Sequence, residues 1–123
     1  MLRRVKSKRA KRAGTKVNGW PSLLVIVRHA ESEGNVCSPA ERADYDISSH
    51  EYALTFLGRK QAKITGKYLR KRFGNFDANY VSYYRRSKET MALLYPDAKV
   101  YEDPRLAEGQ RGLWHTMPKE AVD

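Results

Sequence analysis

Two side chains suited to phosphate chemistry follow an apolar segment directly: Arg28 and His29 come after Leu23–Val27. A histidine at the end of a buried strand can present a neutral imidazole to a crevice, and neutral imidazole is a nucleophile toward phosphorus. Arginine is always charged, and its planar guanidinium binds two phosphate oxygens at once. Arg86 follows the next predicted strand, which is expected to lie beside the first, so it could clamp the same phosphate as Arg28. The pattern indicates phosphoryl-group chemistry centred on His29.

Neutral side chains near this pair could complete a phosphate site. Ser32 and Asn35 lie in the polar segment after His29 and could donate hydrogen bonds to phosphate oxygens, although Ser32 could instead only cap the loop. Arg85 is the neighbouring alternative to Arg86. The amino end of the helix predicted to follow would add a favourable dipole for an anion.

The elements that would position these residues alternate between strand and helix. Strands are predicted at 22–27, 78–82 and 99–101, and helices at 55–73, where Thr55 is the expected N-cap, and at 86–94. This order predicts an α/β fold, with a mostly parallel sheet and flanking helices, and the crevice at the carboxyl ends of its strands. The apolar stripe expected to face the core of the first helix is Leu57, Ile64, Tyr68, Leu69 and Phe73. The basic residues off this stripe are read as a solvated face in preference to a nucleic-acid patch.

Charge divides the 123 residues unevenly. Residues 1–20 carry eight basic and no acidic residues, which leaves sixteen basic and fourteen acidic residues in the rest of the chain. The prediction is a basic, disordered tail over residues 1–20 and one domain over residues 21–123. Residues 3–16 could give weak binding to an anionic partner, either nucleic acid or a membrane surface, or act as an address, or be only a solvated extension. The longest apolar run is five residues, so no transmembrane helix is expected.

Several classes of site are excluded by the sequence. Cys37 is the only cysteine, which precludes an internal disulfide and favours a cytoplasmic location. A cysteine phosphatase loop would need an arginine where Ala43 stands. The chain has no Walker A lysine loop. It also has no cluster with metal-ligand spacing, so neither a metal nor another cofactor is expected.

Four segments together resemble the histidine phosphatase superfamily, the phosphoglycerate mutase-like group. "RHAESEGN" (28–35) resembles its Arg-His signature, and "LTFLGRKQAKITGKYL" (54–69) resembles its Leu-Thr-x-x-Gly-x-x-Gln-Ala segment. "VSYYRRSKET" (81–90) resembles its Val-Ser-x-x-x-Arg-x-x-x-Thr segment, in which the spacing to Thr90 favours Arg86 over Arg85. "LAEGQRG" (106–112) resembles its Leu-x-Glu-x-x-x-Gly segment. The four occur in the family order and cover roughly residues 22–115.

The resemblance implies a role for each matched residue. His29 would be the nucleophile that forms a phosphohistidine, while Arg28 and Arg86 bind the phosphoryl group with help from Asn35. Glu108 would give a proton to the leaving oxygen and then act as the base for water. The expected reaction is phosphomonoester hydrolysis, with a small molecule or a phosphoprotein as substrate, rather than a mutase reaction.

The chain departs from the family pattern in two places. Tyr84 stands where the family usually has proline, and the later Gly-His segment that supplies a second pocket histidine is missing. The remaining histidines, His50 and His115, lie in other contexts. The expected fold is therefore incomplete at its carboxyl end, and self-association is possible. The alternatives to a phosphatase are a pseudophosphatase that binds phosphate with weak or no turnover, and a binder of anionic surfaces or nucleic acid through the tail.

Overall fold

The computed structural model describes residues 2–6, 19–44 and 47–108. In chain order its strands and helices are β1 (Leu2–Lys6), β2 (Leu23–Val27), α1 (Glu33–Val36), α2 (Pro39–Ala43), α3 (Phe56–Phe73), β3 (Asn79–Val81), α4 (Arg85–Leu94) and β4 (Val100–Glu102). Two 3₁₀ turns, Ser49–Glu51 and Pro104–Leu106, lie in the connecting segments. Most of the predicted tail and His115 lie outside the described residues.

The two long helices form where the sequence predicts them. The Thr55 hydroxyl caps α3 by accepting a hydrogen bond from the amide of Gly58 at 3.0 Å. Gly74 ends the helix with a φ of 68°, a conformation that glycine adopts without the steric strain of a Cβ. α4 begins one residue earlier than predicted and ends at Leu94 as expected. Residues 30–53, whose polar and irregular sequence predicts a long loop that could include a short helix, contain α1, α2 and the first 3₁₀ turn.

The buried face of α3 differs from the predicted apolar stripe. Its buried residues are Gly58, Ala62, Gly66 and Leu69. Of the predicted stripe, Leu57, Ile64 and Tyr68 are exposed to 51%, 71% and 54%. Small residues are needed on the inner face because a Cβ on Gly66 would lie 2.9 Å from the backbone of α4. Apolar periodicity identified the helix, but close backbone packing decided which face is buried.

The strands form two separate pairs in the described part of the chain. β3 and β4 pair in parallel, as predicted, whereas β2 pairs with β1 in antiparallel register, with Leu2 opposite Val27. Residues 2–6, which lie within the predicted basic tail, thus form a strand on the edge of β2, and the prediction for the rest of residues 1–18 falls outside the described residues. The expected neighbourhood of β2 and β3 is also not observed: a cleft of about 560 Å³ separates them. β2 alternates, with Leu24 and Ile26 about half exposed, and is not buried on both faces.

The core lies where α3, α4 and β2 meet. Leu69, Leu94 and Tyr95 are its buried centre, and the residues packed against them are Val25, Val27, Phe73, Phe76 and Ala98. The Arg70 guanidinium donates to the Leu94 carbonyl, which satisfies a terminal carbonyl of α4. This packing holds the end of β2, and therefore the start of the segment that carries His29, against the two helices. None of the helices formed by the described residues combines the length and the apolar character needed to cross a bilayer.

Candidate active site

His29 is held half-buried in a defined orientation at the end of β2. Its Nδ1 lies 2.7 Å from the Ala30 carbonyl oxygen, so Nδ1 carries the proton and donates it to that oxygen. In the neutral ring, Nε2 then keeps its lone pair. Burial lowers the pKa of His29 below its usual 6.5; the hydrogen bond to Ala30 and the charge of Glu108 oppose this, while the charges of Arg86 and Arg28 add to it. The result is an imidazole that is neutral near neutral pH, with an unprotonated Nε2.

The backbone after His29 is anchored to both long helices. The amide of Ala30 donates to the Thr90 hydroxyl at 3.1 Å, and this hydroxyl donates to the Arg86 carbonyl at 2.7 Å. The amide of Glu31 donates to Oε1 of Gln61 at 3.0 Å. Thr90 is buried and lies on α4, whereas Gln61 lies on α3. These contacts tie the backbone after His29 to the two long helices.

Ser32 and Asn35 form hydrogen bonds with each other. Both the amide and the hydroxyl of Ser32 donate to the Asn35 side-chain oxygen, at 2.9 and 3.0 Å. Ser32 is 2% exposed and its hydroxyl is used in this hydrogen bond, so a role in phosphate binding stays a prediction. Asn35 is exposed, and its amide nitrogen is the group that would remain for a ligand.

The arginine that turns inward at the start of α4 is Arg86. It is 7% exposed, its Nη1 donates to the Ser49 carbonyl at 2.7 Å, and its guanidinium lies 4.5 Å from the centre of the Tyr84 ring. Arg85 turns the other way and pairs with Glu89 at 3.0 Å. Of Arg85 and Arg86, it is Arg86 whose charge helps to lower the pKa of His29.

Glu108 and Arg28 complete the charged groups around His29. The Glu108 carboxylate lies 3.5 Å from Nη2 of Arg86, its side chain is 78% exposed, and its main-chain oxygen accepts from the Tyr84 hydroxyl at 2.8 Å. Arg28 is exposed. The structure therefore brings Arg28, His29, Arg86 and Glu108 into one electrostatic neighbourhood.

Sequence reasoning missed the residues that support this group. From the sequence, Thr90 and Gln61 were recognised only as positions in two motifs, and Tyr84 only as a residue that replaces the usual proline. A buried threonine or tyrosine is recognised through its partners, which lie far away in the sequence. His50 also lies here: its ring is 6.3 Å from that of Tyr84. Within the described ranges, no group of three or more His, Cys, Asp or Glu residues is placed to hold a metal ion.

Comparisons with known proteins agree on one family. The family profile of the histidine phosphatase superfamily (branch 1) matches residues 24–123. A phosphoglycerate mutase of Schizosaccharomyces pombe is 29% identical over 97 residues, which are 75% of this chain and 43% of the mutase. This chain thus spans less than half the length of that curated relative.

Two solved structures share the fold. An Escherichia coli K-12 protein proposed to be an alpha-ribazole-5'-P phosphatase superposes with a TM-score of 0.57 and 28% identity, over 72% of this chain and 41% of that one. A Nakamurella multipartitia protein proposed to be the phosphohistidine phosphatase SixA gives a TM-score of 0.54 and 24% identity, over 68% and 42%. Both likenesses support an α/β fold of which this chain covers part.

Proposed function

This chain belongs to the histidine phosphatase superfamily, and we propose that it transfers a phosphoryl group from a phosphomonoester to His29 and then to water. The observation that carries the proposal is the state of His29: a neutral imidazole whose Nδ1 is bound to the Ala30 carbonyl, which leaves Nε2 for attack. A solvated surface histidine would have neither the fixed tautomer nor the lowered pKa.

The first step forms a bond between Nε2 of His29 and phosphorus and breaks the bond between phosphorus and the ester oxygen. Arg86 and Arg28 stabilise the charge on the equatorial oxygens. Arg86 suits this role because it is buried and oriented, and its bonds to Ser49 and Glu108 leave further N–H groups for a phosphate. The amide nitrogen of Asn35 is proposed as a neutral donor.

Glu108 is proposed to move the proton. As a carboxylic acid it gives a proton to the departing ester oxygen, and as a carboxylate it takes one from the water that attacks the phosphohistidine. The water oxygen bonds to phosphorus, the P–N bond breaks, and the neutral imidazole returns with inorganic phosphate. The position of Glu108 beside Arg86, open to solvent, supports access of both water and leaving group.

The proposal is tested by hydrolysis of para-nitrophenyl phosphate by the full chain in the presence of a metal chelator. His29→Asn should abolish turnover and the acid-labile phosphoenzyme. Arg86→Lys should lower the rate by about 10²–10³-fold, as expected when one preorganised electrostatic partner is lost. The matched control is Arg85→Lys, because Arg85 is adjacent but pairs with Glu89 and should leave the rate unchanged. Turnover that survives His29→Asn would refute the proposal.

Two other outcomes would assign a different function within the same family. Binding of inorganic phosphate without turnover, with the binding lost in Arg86→Lys, would identify a pseudophosphatase. The other histidine among the described residues is His50, whose ring lies 6.3 Å from that of Tyr84. Transfer of the phosphoryl group to an added alcohol in preference to water would identify a mutase. The cytoplasmic location and the anionic partner of residues 3–16 stay predictions.

A further inference from the structure

The face of α3 that points away from the core mixes apolar and basic side chains. We define this outer face by six residues at helical spacing: Leu57, Lys60, Ile64, Lys67, Tyr68 and Lys71. Its three apolar members are 51% to 71% exposed, and Phe56 beside them is 76% exposed. The loop carrying His29 contacts the opposite face, where the carbonyl of Glu31 meets Gly58. The outer face is therefore separate from the proposed phosphate site.

The charge of α3 is entirely positive. Its sequence contains seven basic residues and no acidic one: Arg59, Lys60, Lys63, Lys67, Arg70, Lys71 and Arg72. Arg59 pairs with Glu89 at 3.6 Å, and the Arg70 guanidinium donates a hydrogen bond to the Leu94 carbonyl. In the part of the chain that the structure describes, the four lysines form no ion pair. Like charges along one helix repel, so this arrangement lowers helix stability unless an anion compensates it.

The combination of both features indicates the kind of anion. Nucleic acid would use the lysines but would leave Leu57, Ile64 and Tyr68 in water. A bilayer surface uses both, because apolar side chains enter between the headgroups while lysines reach the lipid phosphates with extended stems. We propose that the outer face of α3 docks on a membrane surface rich in anionic phospholipid. The helix would lie in the plane of the surface and leave the His29 crevice open to solution.

The test uses the full chain and vesicles of phosphatidylcholine with or without phosphatidylserine, followed by co-sedimentation. Binding should require phosphatidylserine and should weaken with salt. Replacing Lys60, Lys67 and Lys71 by glutamine should weaken it about a hundredfold. Replacing Leu57, Ile64 and Tyr68 by glutamine, with all charges kept, should weaken it by at least about tenfold. Both variants change only exposed positions, and circular dichroism checks that they fold.

Matched controls separate this face from other basic or aromatic surfaces. Tyr80 and Tyr101 stack on the β3–β4 pair, with Lys99 over the Tyr101 ring, and form an exposed set of similar chemistry. Replacing these three by glutamine should leave vesicle binding unchanged. Because residues 3–16 are also basic, every variant is compared again in a chain whose tail lysines and arginines are glutamine.

Three results would overturn the proposal. One is unchanged binding after the apolar substitutions on the outer face, and another is binding that disappears only when the tail is neutralised. The third is binding to duplex RNA or DNA, but not to vesicles, that depends on the lysines alone. As a direct readout, lipids brominated near the headgroup should quench the fluorescence of the tryptophan introduced by Tyr68→Trp. They should not quench the fluorescence of the tryptophan introduced by Tyr101→Trp.

Discussion

Gly58 is the position where one added methyl group should disturb the site most. A Cβ built on Gly58 would lie 3.0 Å from the carbonyl carbon and 3.1 Å from the nitrogen of Glu31, and it would overlap the carbonyl oxygen itself. That oxygen accepts the amide of Thr55 at 3.0 Å, so it cannot move without breaking the start of α3. In a helix with free space, glycine to alanine would stabilise by about 1 kcal/mol. Here we expect Gly58→Ala to destabilise by about 1–3 kcal/mol, as overpacking does.

Urea unfolding followed by circular dichroism measures this change. The expected loss lowers the midpoint at an unchanged m-value. It corresponds to a fall in Tm of about 4–8 °C per kcal/mol for a domain of about 100 residues. Gly19→Ala is the control, because a Cβ there meets nothing within 4 Å, and its midpoint should not fall. The loop must shift by about 1 Å to relieve the overlap, and a misplacement of that size can lower a rate about 10²-fold. A Gly58→Ala midpoint equal to or above wild type would refute the assigned contact between α3 and the loop.

Three further predictions concern the same region. Thr90→Val should destabilise by about 1–3 kcal/mol because the amide after His29 loses its acceptor, whereas Thr65→Val, with no hydrogen bond described for its hydroxyl, should cost much less; equal losses would contradict the anchoring role. NMR titration should give His29 a pKa below 6.5, so the native state binds fewer protons than the unfolded state just below that pH and stability falls as the solution is acidified; a pKa above 6.5 would contradict this. Hydrogen bonds from the Arg105 side chain and amide lower the pKa of Asp103 to about 2, so Arg105→Gln should raise it toward 3.8, and an unchanged carboxyl titration would exclude the pair.

The helices were predictable because their signals are local. Thr55 at the start of α3 and Gly74 at its end both follow from single-residue preferences, and the structure has them in these roles. The spacing from Arg86 to Thr90 pointed to the arginine that turns inward. These features depend on residues within one or two helical turns, which a sequence pattern reports directly.

The remaining features depend on which backbones approach each other. The buried face of α3 is set by close contact at Gly58 and Gly66, which hydrophobicity does not encode, so only Leu69 and Phe73 of the predicted apolar stripe lie in the core. The antiparallel partner of β2 comes from residues 2–6, whose basic composition indicated a tail. The hydrogen bonds between Ser32 and Asn35 were not predicted, because the sequence shows only that both side chains could donate hydrogen bonds.

The cleft between β2 and β3 also affects which backbone hydrogen bonds near His29 can open locally. In the described part of the chain, the ladder of β2 is to β1 alone, so this ladder can open without unfolding the α3–α4 pair. The backbone after His29 is nevertheless bonded to Thr90 and Gln61, which belong to those helices. Amide hydrogens of β2 can therefore exchange quickly with solvent while those of residues 30 and 31 stay protected. His29 is thus held by hydrogen bonds from the following residues to the two helices as well as by the strand from which it extends.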